Sequence, residues 1–404
     1  MVLFPSFFNG LARTMSSSSS SLKKTKSLER DAAAAGGGGK EAAEELTKDA
    51  KRNELILSSS GIVKSTKSNN FASVCSRRGQ KGVNQDCLVV WEEFGCQEDM
   101  TFCGVFDGHG PWGHVVAKKV RESVPPSLLC NWQRTLQSSL NVEMELGGLL
   151  NQNEDDLILR HSNQQHRFDI WKESYLETYA AIDQQLKQSH PKIDTFFSGT
   201  TALTIVKQRN HLVIANVGDS RAVLATISDN GALSAVQLTV DFKPNLPEEA
   251  ERIKSCRGRV FCLQDEPGVY RVWRQSGKTP GLAISRAFGD YCLKEFGLIS
   301  VPEVTQLSIT SRDQFMILAS DGVWDVVSNQ EAVRIVAAAA TAVGDGGGRE
   351  KCARRLVEYA SRAWKRKRGG VAMDDMSAIC LFFHEVEPSP GGDGAESEKK
   401  KCLD

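Results

Sequence analysis

Four aspartates stand beside hydrophobic stretches of the kind that form buried strands. Three of them close an apolar run and are followed by a small residue, and one precedes an apolar run: Asp107–Gly108, Asp219–Ser220, Asp321–Gly322 and Asp374. Aspartate is depleted in strand interiors. Each could simply begin a turn, a common role of Asp next to Gly or Ser. The alternative is that these strand ends meet at one rim of a sheet.

Carboxylates gathered at one rim would repel and raise each other's pKa unless a cation compensates their charge. Hard oxygen ligands of this kind suit Mg²⁺ or Mn²⁺ rather than zinc. Two such ions about 3.5–4 Å apart can generate hydroxide and stabilise an in-line displacement at phosphorus. If the aspartates do converge, the chemistry they indicate is hydrolysis of a phosphate ester.

The segment Asp107-Gly108-His109-Gly110 favours convergence over isolated turns. Its glycines permit close backbone approach, so a carbonyl could join a coordination shell. An imidazolium at His109 could protonate a leaving alkoxide. A lone loop histidine is usually just solvated, but here the neighbouring residues favour the catalytic role. His109 and His114 do not form the H-E-x-x-H pattern, which excludes that zinc-protease motif.

Short apolar runs predict the strands that would position these side chains. They are Leu88–Trp91, Phe102–Phe106, Ala202–Val206, Leu212–Val217, Phe315–Ala319 and Ala378–Phe383. Several runs follow one another through short turns, which favours antiparallel sheets with helices on their outer faces over a βαβ repeat.

Helical features are fewer and clearer. An apolar stripe predicts a helix over Phe168–Leu186. A capping box at Ser328–Glu331 predicts the start of another helix. The polar stretch Leu140–Gln165 is interpreted as a surface insertion loop.

Composition divides the chain into three parts. Residues 1–70 carry serine, alanine and glycine runs, so a low-complexity, disordered N-terminal extension is expected. Residues 71–384 are expected to fold as one domain, and 385–404 to form a flexible C-terminal tail. The basic, Ser-rich start has no acidic residue before Glu29. An organellar transit segment is therefore an alternative to the expected intracellular location in cytoplasm, nucleus or both.

Several function classes lack support. Fifty basic and 50 acidic residues balance, so no bulk charge predicts a nucleic-acid partner. No apolar run is long enough to span a bilayer. The 11 cysteines show no C-x-x-C pair, which favours a reducing compartment. P-loop and G-x-G-x-x-G motifs are absent.

The basic cluster Trp364–Gly370 is interpreted as the last turn of a helix, where cations meet the helix dipole, with a nuclear-import signal as the alternative.

Seven motifs, taken in order, make the chain resemble the metal-dependent protein serine/threonine phosphatases of type 2C, particularly the plant members. Any one block is weak evidence, but the full ordered set is specific. The blocks run from about Phe71 to Phe383: Lys81–Asp86, Val105–Gly110, Ser198–Ala202, Val217–Ala222, Ser285–Asp290, Ser320–Asp325 and Asp374–Ser377.

The resemblance implies an α+β fold, an antiparallel β-sandwich flanked by helix pairs in four α-β-β-α layers. It implies two Mg²⁺ or Mn²⁺ ions per chain, a weaker third site, and single-step attack on phosphoserine or phosphothreonine by metal-activated water without a phosphoenzyme. The matching positions imply a bridging ligand at Asp107, a carbonyl ligand at Gly108, and ligands of the other ion at Asp321 and Asp374. They also imply that Asp86 accepts a hydrogen bond from a metal-bound water, that His109 is a general acid, and that Asp219, Asp321 and Asp325 form the third site.

Two positions depart from the family pattern. Gln85 stands where a metal-ligating Glu is usual, and it offers a carbonyl oxygen without charge. Lys81 stands where a phosphate-binding Arg is usual, and it lacks the bidentate geometry of guanidinium. These changes are expected to affect the affinity for the metal ions and the binding of the substrate phosphate.

The partners that the resemblance implies are phosphoprotein substrates, and a monomer is expected. Some plant relatives act as hormone co-receptors through a flap tryptophan. The matching position here is Leu263, with Trp273 further on, so no hormone-receptor pairing is expected. Two rival functions remain open: a phosphoprotein-sequestering module on the same fold, weakened at Gln85, and a small-molecule phosphohydrolase.

Overall fold

The computed structural model describes residues 61–64, 72–146, 156–189, 192–277, 280–342, 348–369 and 372–384. The chain divides into two compact units, Met1–Val63 and Lys64–Asp404. The described part of the first unit contains strand β1, Ile62–Val63. The predictions for residues 1–60 and for the tail 385–404 lie outside the described residues. The domain boundaries stay predictions.

The second unit alternates strands and helices. Its strands are β2 Ala72–Arg77, β3 Asp86–Glu92, β4 Met100–His109, β5 Gly199–Thr200, β6 Ala202–Gln208, β7 His211–Val217, β8 Arg221–Ile227, β9 Leu233–Gln237, β10 Arg259–Phe261, β11 Arg271–Trp273, β12 Phe288–Gly289, β13 Glu303–Ser308, β14 Asp313–Ala319 and β15 Met376–Phe382. Its α-helices are α1 Gly113–Leu146, α2 Asp156–Ser189, α3 Pro247–Ser255, α4 Tyr291–Lys294, α5 Asp321–Trp324, α6 Asn329–Thr341 and α7 Cys352–Arg368. Short 3₁₀ turns cover Phe94–Cys96 and Arg349–Lys351.

Two antiparallel sheets form the centre of this unit. The first has the order β3-β4-β6-β7-β13, with the short β5 and β12 added at the end of β4. The second has the order β2-β15-β14-β8-β9, and β10 and β11 pair separately as a small ribbon. All six predicted apolar runs correspond to these strands, and Ala378–Phe383 extends one residue past the end of β15.

Alternation along β14 shows how the layers pack. Met316 and Leu318 point into a core shared with residues of the first sheet, such as Val105 and Leu203. Phe315 and Ile317 point the other way, into a core formed with α5, α6 and α7. Side chains alternate between the two faces of a strand, and here both faces are buried. That explains why the strands read as continuous apolar runs. The predicted four-layer α-β-β-α arrangement is confirmed.

Helices α1 and α2 correct one prediction. The stretch Leu140–Gln165 is not all loop: residues 140–146 continue α1 and 156–165 belong to α2, while 147–155 lie outside the described residues. A polar composition indicates solvent exposure but does not distinguish a loop from a helix, because Gln, Glu and Leu are also good helix formers. The stripe predicted within Phe168–Leu186 is buried in α2.

Both predicted helix ends are confirmed. The Ser328 hydroxyl accepts a hydrogen bond from the Glu331 amide at the start of α6. Helix α7 ends in a left-handed Gly369 with φ 60°, whose amide donates to the Trp364 carbonyl. The basic cluster is therefore a helix end, where cations meet the negative pole of the helix dipole.

None of the helices in the described ranges is both long enough and apolar enough to cross a membrane.

Glu249 of α3 anchors the segment between β9 and β13. Its buried carboxylate accepts hydrogen bonds from Arg252 at 2.6 Å and from Arg286 at 2.8 Å. The Arg286 guanidinium also lies 3.7 Å from the centre of the Phe242 ring. Burial alone would raise the pKa of Glu249, but these hydrogen bonds and the Arg286 charge outweigh it and lower the pKa from 4.5 to about 2.

We expect Glu249→Gln to lower the free energy of unfolding at pH 7 by about 3 kcal/mol, the equivalent of a pKa shift of this size. Because the pKa is depressed in the folded state, this contribution is complete above the unfolded pKa. It is lost as the pH falls from about 4.5 toward 2. Urea unfolding of both proteins across this range measures the difference. Glu251→Gln, on the exposed face of the same helix, should change little, and equal effects of the two variants would contradict the account.

Candidate active site

Asp86 and Asp107 are direct cross-strand partners on β3 and β4. The backbone of Asp107 is held firmly, because its amide donates to the Thr201 hydroxyl at 3.0 Å and its carbonyl accepts from the Thr201 amide at 2.9 Å. Thr200 donates a further hydroxyl hydrogen bond to the same carbonyl at 3.1 Å. Two carboxylates thus stand side by side at the end of the first sheet.

The second sheet contributes its carboxylates from strand ends at the same rim. Asp321 begins α5 two residues after the end of β14, and Asp374 lies two residues before β15. Ser320 joins the two sheets, since its hydroxyl donates to Asp86 Oδ2 at 2.9 Å. The backbone is crowded at this point: a Cβ on Gly322 would lie 1.8 Å from the Asp375 carbonyl oxygen. The closeness of α5 and the Asp374 loop therefore requires glycine there.

The charges of these aspartates act on one another. Burial raises the pKa of Asp107 well above its ordinary value, and repulsion from Asp86, Asp321, Asp374 and Asp219 raises it further. Burial and the same kind of repulsion, led by Asp219, also raise the pKa of Asp321.

Asp86 shows the same effect in a milder form. Burial raises its pKa to about 7, with help from the charges of Asp375 and Asp374 and against the hydrogen bonds from Ser377 and Ser320. The structure therefore brings Asp86, Asp107, Asp321 and Asp374 together, which isolated turns would not do.

Two lysines compensate part of this negative charge. The Lys81 ammonium forms an ion pair with Asp374, and the Lys243 ammonium with Asp219. Burial opposes both ammonium charges, but the acidic neighbours outweigh it and raise the pKa of each lysine. Within the described residues, no three His, Cys, Asp or Glu side chains form a preformed metal site.

The carboxylate cluster nonetheless fits a divalent cation in its chemistry. Asp86 Oδ1 and Asp321 Oδ1 are buried and have no hydrogen-bond partner. A buried carboxylate oxygen without a partner is costly, and a hard cation is the ligand that satisfies several such oxygens at once. The raised pKa values of Asp86, Asp107 and Asp321 also favour a bound cation, because the two lysines compensate only part of the negative charge of the cluster.

His109, the last residue of β4, contacts Asp290, which the sequence analysis included in a matching block but gave no role. Its Nε2 lies 2.6 Å from Asp290 Oδ2. Burial lowers the pKa of His109, but the charge and hydrogen bond of Asp290 outweigh it, so the pKa is raised. Asp290 closes the block Ser285–Asp290, but it is followed by Tyr291 and not by a small residue, so the pattern of the other strand-end aspartates did not single it out.

The loop between β2 and β3 carries both departures from the family pattern. Asp375 fixes this loop by accepting hydrogen bonds from the amides of Gly79 at 2.7 Å and Gln85 at 2.8 Å. Gln85 turns its Nε2 to the Gly110 carbonyl at 2.8 Å. Lys81 is exposed and reaches Asp374. The role of Asp375 was missed, because in a pair such as Asp374-Asp375 the sequence does not show which carboxylate faces the loop.

The residues assigned to a third cation differ in their exposure. Asp219 is buried and pairs with Lys243, while Asp325 is exposed at the end of α5. The charges of both act on Asp321. Lys243 lies 24 residues from Asp219 and carries no recognisable sequence signal.

Trp273, in the β10–β11 ribbon, is buried and does not present its ring to solvent. Its side chain is 2% exposed, stacks on Phe261 at 4.9 Å and donates its Nε1 hydrogen to the Phe261 carbonyl at 3.0 Å. The expected lack of a hormone-receptor pairing stays a prediction.

Comparison with known proteins identifies the family to which the chain is similar. The sequence model of the family described as protein phosphatase 2C matches residues 71–367. The chain is 60% identical over 383 residues to the protein named probable protein phosphatase 2C 73 of Arabidopsis thaliana, covering 94% of each chain. It is 57% identical over 333 residues to probable protein phosphatase 2C 48 of Oryza sativa subsp. japonica, covering 81% of this chain and 88% of that protein.

A solved structure shows the same fold. The serine-threonine phosphatase 2C from Toxoplasma gondii superposes with a TM-score of 0.64 at 26% identity, covering 78% of this chain and 94% of that one. Together with the sequence matches, this identifies the enzyme class. The chain belongs to the protein phosphatase 2C family and is a plant-type, metal-dependent protein serine/threonine phosphatase.

Proposed function

We propose that this phosphatase hydrolyses phosphoserine and phosphothreonine esters at a binuclear Mg²⁺ or Mn²⁺ centre. The observation that carries the proposal is the group of mutually repelling aspartates from both sheets, with unpartnered buried oxygens on Asp86 and Asp321. Asp107 would contact both ions, the Gly108 carbonyl one of them, and Asp321 and Asp374 the other. Asp219 and Asp325 would complete a weaker third site with Asp321.

A bound pair of divalent ions supplies a deprotonated water and offsets the negative charge that develops on the phosphoryl group. The remaining work belongs to the chain. Lys81 would release Asp374 and hold a phosphate oxygen through its ammonium. His109 would donate its proton to the leaving serine or threonine oxygen. Asp290 would keep the imidazole oriented and protonated, while Asp86 would accept a hydrogen bond from a water beside the ions.

Turnover of a phosphothreonine peptide with Mn²⁺ or Mg²⁺ tests this function against its rivals. We expect hydrolysis that stops when the ions are chelated. A sequestering module would bind the peptide with no turnover above that of an Asp107→Asn variant. A small-molecule phosphohydrolase would process free phosphomonoesters far more efficiently than phosphopeptides. A monomeric state and an intracellular location stay predictions.

Gln85→Glu tests the first departure from the family pattern. Glutamate cannot donate to the Gly110 carbonyl as Gln85 does, so its carboxylate should turn toward the cations and add a charged ligand. We expect the Mn²⁺ concentration for half-maximal activity to fall about tenfold, the size of effect typical of groups around a metal site.

Gln80→Glu is the matched control, because it adds the same charge five residues earlier in the same loop, at an exposed position. An equal fall with both variants would mean that general electrostatics, not ligation at Gln85, sets the metal affinity. No fall at Gln85→Glu would place this side chain outside the coordination shell.

A further inference from the structure

Exposed aromatic side chains cluster beside His109. The exposed aromatic residues in the described ranges are four, and three of them lie in two segments next to this histidine: Trp112, 44% exposed, Phe196, 40%, and Phe197, 44%. These three are called the aromatic patch. Singly scattered apolar residues are normal on a protein surface, whereas grouped ones often have a function. Aromatic side chains are also well suited to contact, because they offer a large area at low entropic cost.

The backbone beneath the aromatic patch is fixed. Asp194 Oδ1 accepts hydrogen bonds from the amides of Phe196 at 3.1 Å and Phe197 at 3.3 Å. The Phe196 carbonyl accepts from the Cys292 amide at 3.1 Å. The two phenyl rings meet edge to face with centres 4.8 Å apart. The rings are therefore presented to solvent by an ordered turn.

The two segments of the patch contact each other next to the catalytic histidine. The Trp112 amide donates to the Ser198 hydroxyl at 2.9 Å, and His109 pairs with Gly199 in the β4–β5 ladder. Gly110 has φ +83°, and a Cβ there would lie 2.2 Å from the Phe197 carbonyl oxygen. The aromatic patch thus continues directly from the residue assigned to protonate the leaving group.

We propose that the aromatic patch binds an apolar side chain flanking the phosphorylated residue of the substrate polypeptide. This rests on the proposed function, because a phosphoresidue placed at His109 carries its neighbouring chain across this surface. An extended chain advances about 3.3–3.6 Å per residue, so the contact falls within the first few flanking positions. A second copy of the chain is a poor occupant, since three partly exposed rings offer about 250 Å² against about 800 Å² per partner in a stable interface.

A panel of phosphothreonine peptides tests the assignment. Each peptide carries Leu or Ser at one position from three before to three after the phosphothreonine. Turnover is measured by kcat/KM and binding by fluorescence anisotropy. We expect Leu at one or two positions to improve kcat/KM and affinity about tenfold over Ser, as for a single good contact in an interface.

In the Trp112→Ser/Phe197→Ser double variant this Leu-over-Ser ratio should fall to near one. Ile227→Ser removes an exposed apolar side chain at the end of β8 away from Asp219, and it should keep the ratio. Because the Leu-over-Ser ratio is taken within each protein, a general loss of activity does not change it. Circular dichroism verifies that each variant is folded.

A wild type without Leu preference, or a preference that survives the double variant, overturns the aromatic patch as a substrate surface. So does a wild-type dimer that becomes monomeric in the double variant, because the patch would then join two copies. Turnover of the phosphothreonine peptides themselves separates the two proposals. Peptide hydrolysis with no Leu preference leaves the phosphatase function standing and rejects the patch, whereas Leu-selective binding without any hydrolysis rejects that function and retains the patch.

Discussion

Asp107→Asn is expected to lower kcat/KM for a phosphothreonine peptide by more than about 100-fold. Mutation of groups that merely support metal ligands costs about 10–100-fold, and Asp107 is proposed to bind both ions directly. Asparagine retains the shape and one carbonyl oxygen but removes the charge. Steady-state kinetics over a wide Mn²⁺ range measures the loss, and added metal should not restore full activity.

The same variant should be more stable than the wild type when a chelator removes divalent ions. A carboxyl group whose pKa is raised in the folded state opposes folding at neutral pH, and asparagine removes that penalty. Thermal unfolding should show a higher melting temperature in chelator and a smaller rise on adding Mn²⁺. Asp99→Asn alters a 39% exposed side chain paired with Arg209 and should change neither quantity. Wild-type activity in Asp107→Asn, or an unchanged response to Mn²⁺, would contradict its place at the centre.

His109→Gln is expected to lower kcat for the phosphothreonine peptide by about 10²–10⁴-fold, the usual contribution of a positioned general acid. With p-nitrophenyl phosphate the loss should be far smaller, because nitrophenolate leaves readily without a proton. Asp290→Asn should show the same dependence on the leaving group with a smaller loss, since Asp290 acts through its 2.6 Å contact with His109.

His211→Gln is the control, at an exposed position at the start of β7. It should affect neither substrate. If His109→Gln slowed both substrates equally, the residue would help to bind phosphate or shape the site but would not protonate the leaving group.

Much of the site could be predicted because strand ends are visible in sequence. The apolar runs that end near Asp107 and Asp321 are buried on both faces, so they stand out from the rest of the chain. Antiparallel pairing between few strands then leaves a small number of rims where such ends can meet. The resemblance to a known family supplied the roles that geometry alone leaves open.

The residues that were missed depend on features that local sequence does not encode. Asp290 faces His109 from a left-handed backbone conformation with φ 52°, unusual for a residue other than glycine. Lys243 forms an ion pair with Asp219, which lies 24 residues earlier in the sequence. The extents of α1 and α2 were misjudged because the polar stretch between them was interpreted as loop, although the residues at both of its ends are compatible with helix.

Anomalous scattering from crystals grown with Mn²⁺ tests the central claim most directly. We expect two anomalous peaks about 3.5–4 Å apart, which locate two Mn²⁺ ions. Both ions should contact the Asp107 carboxylate, and Asp321 and Asp374 should contact one of them. The Lys81 ammonium should no longer pair with Asp374. Peaks away from these side chains, or a single ion held without Asp107, would contradict the binuclear centre on which the mechanism depends.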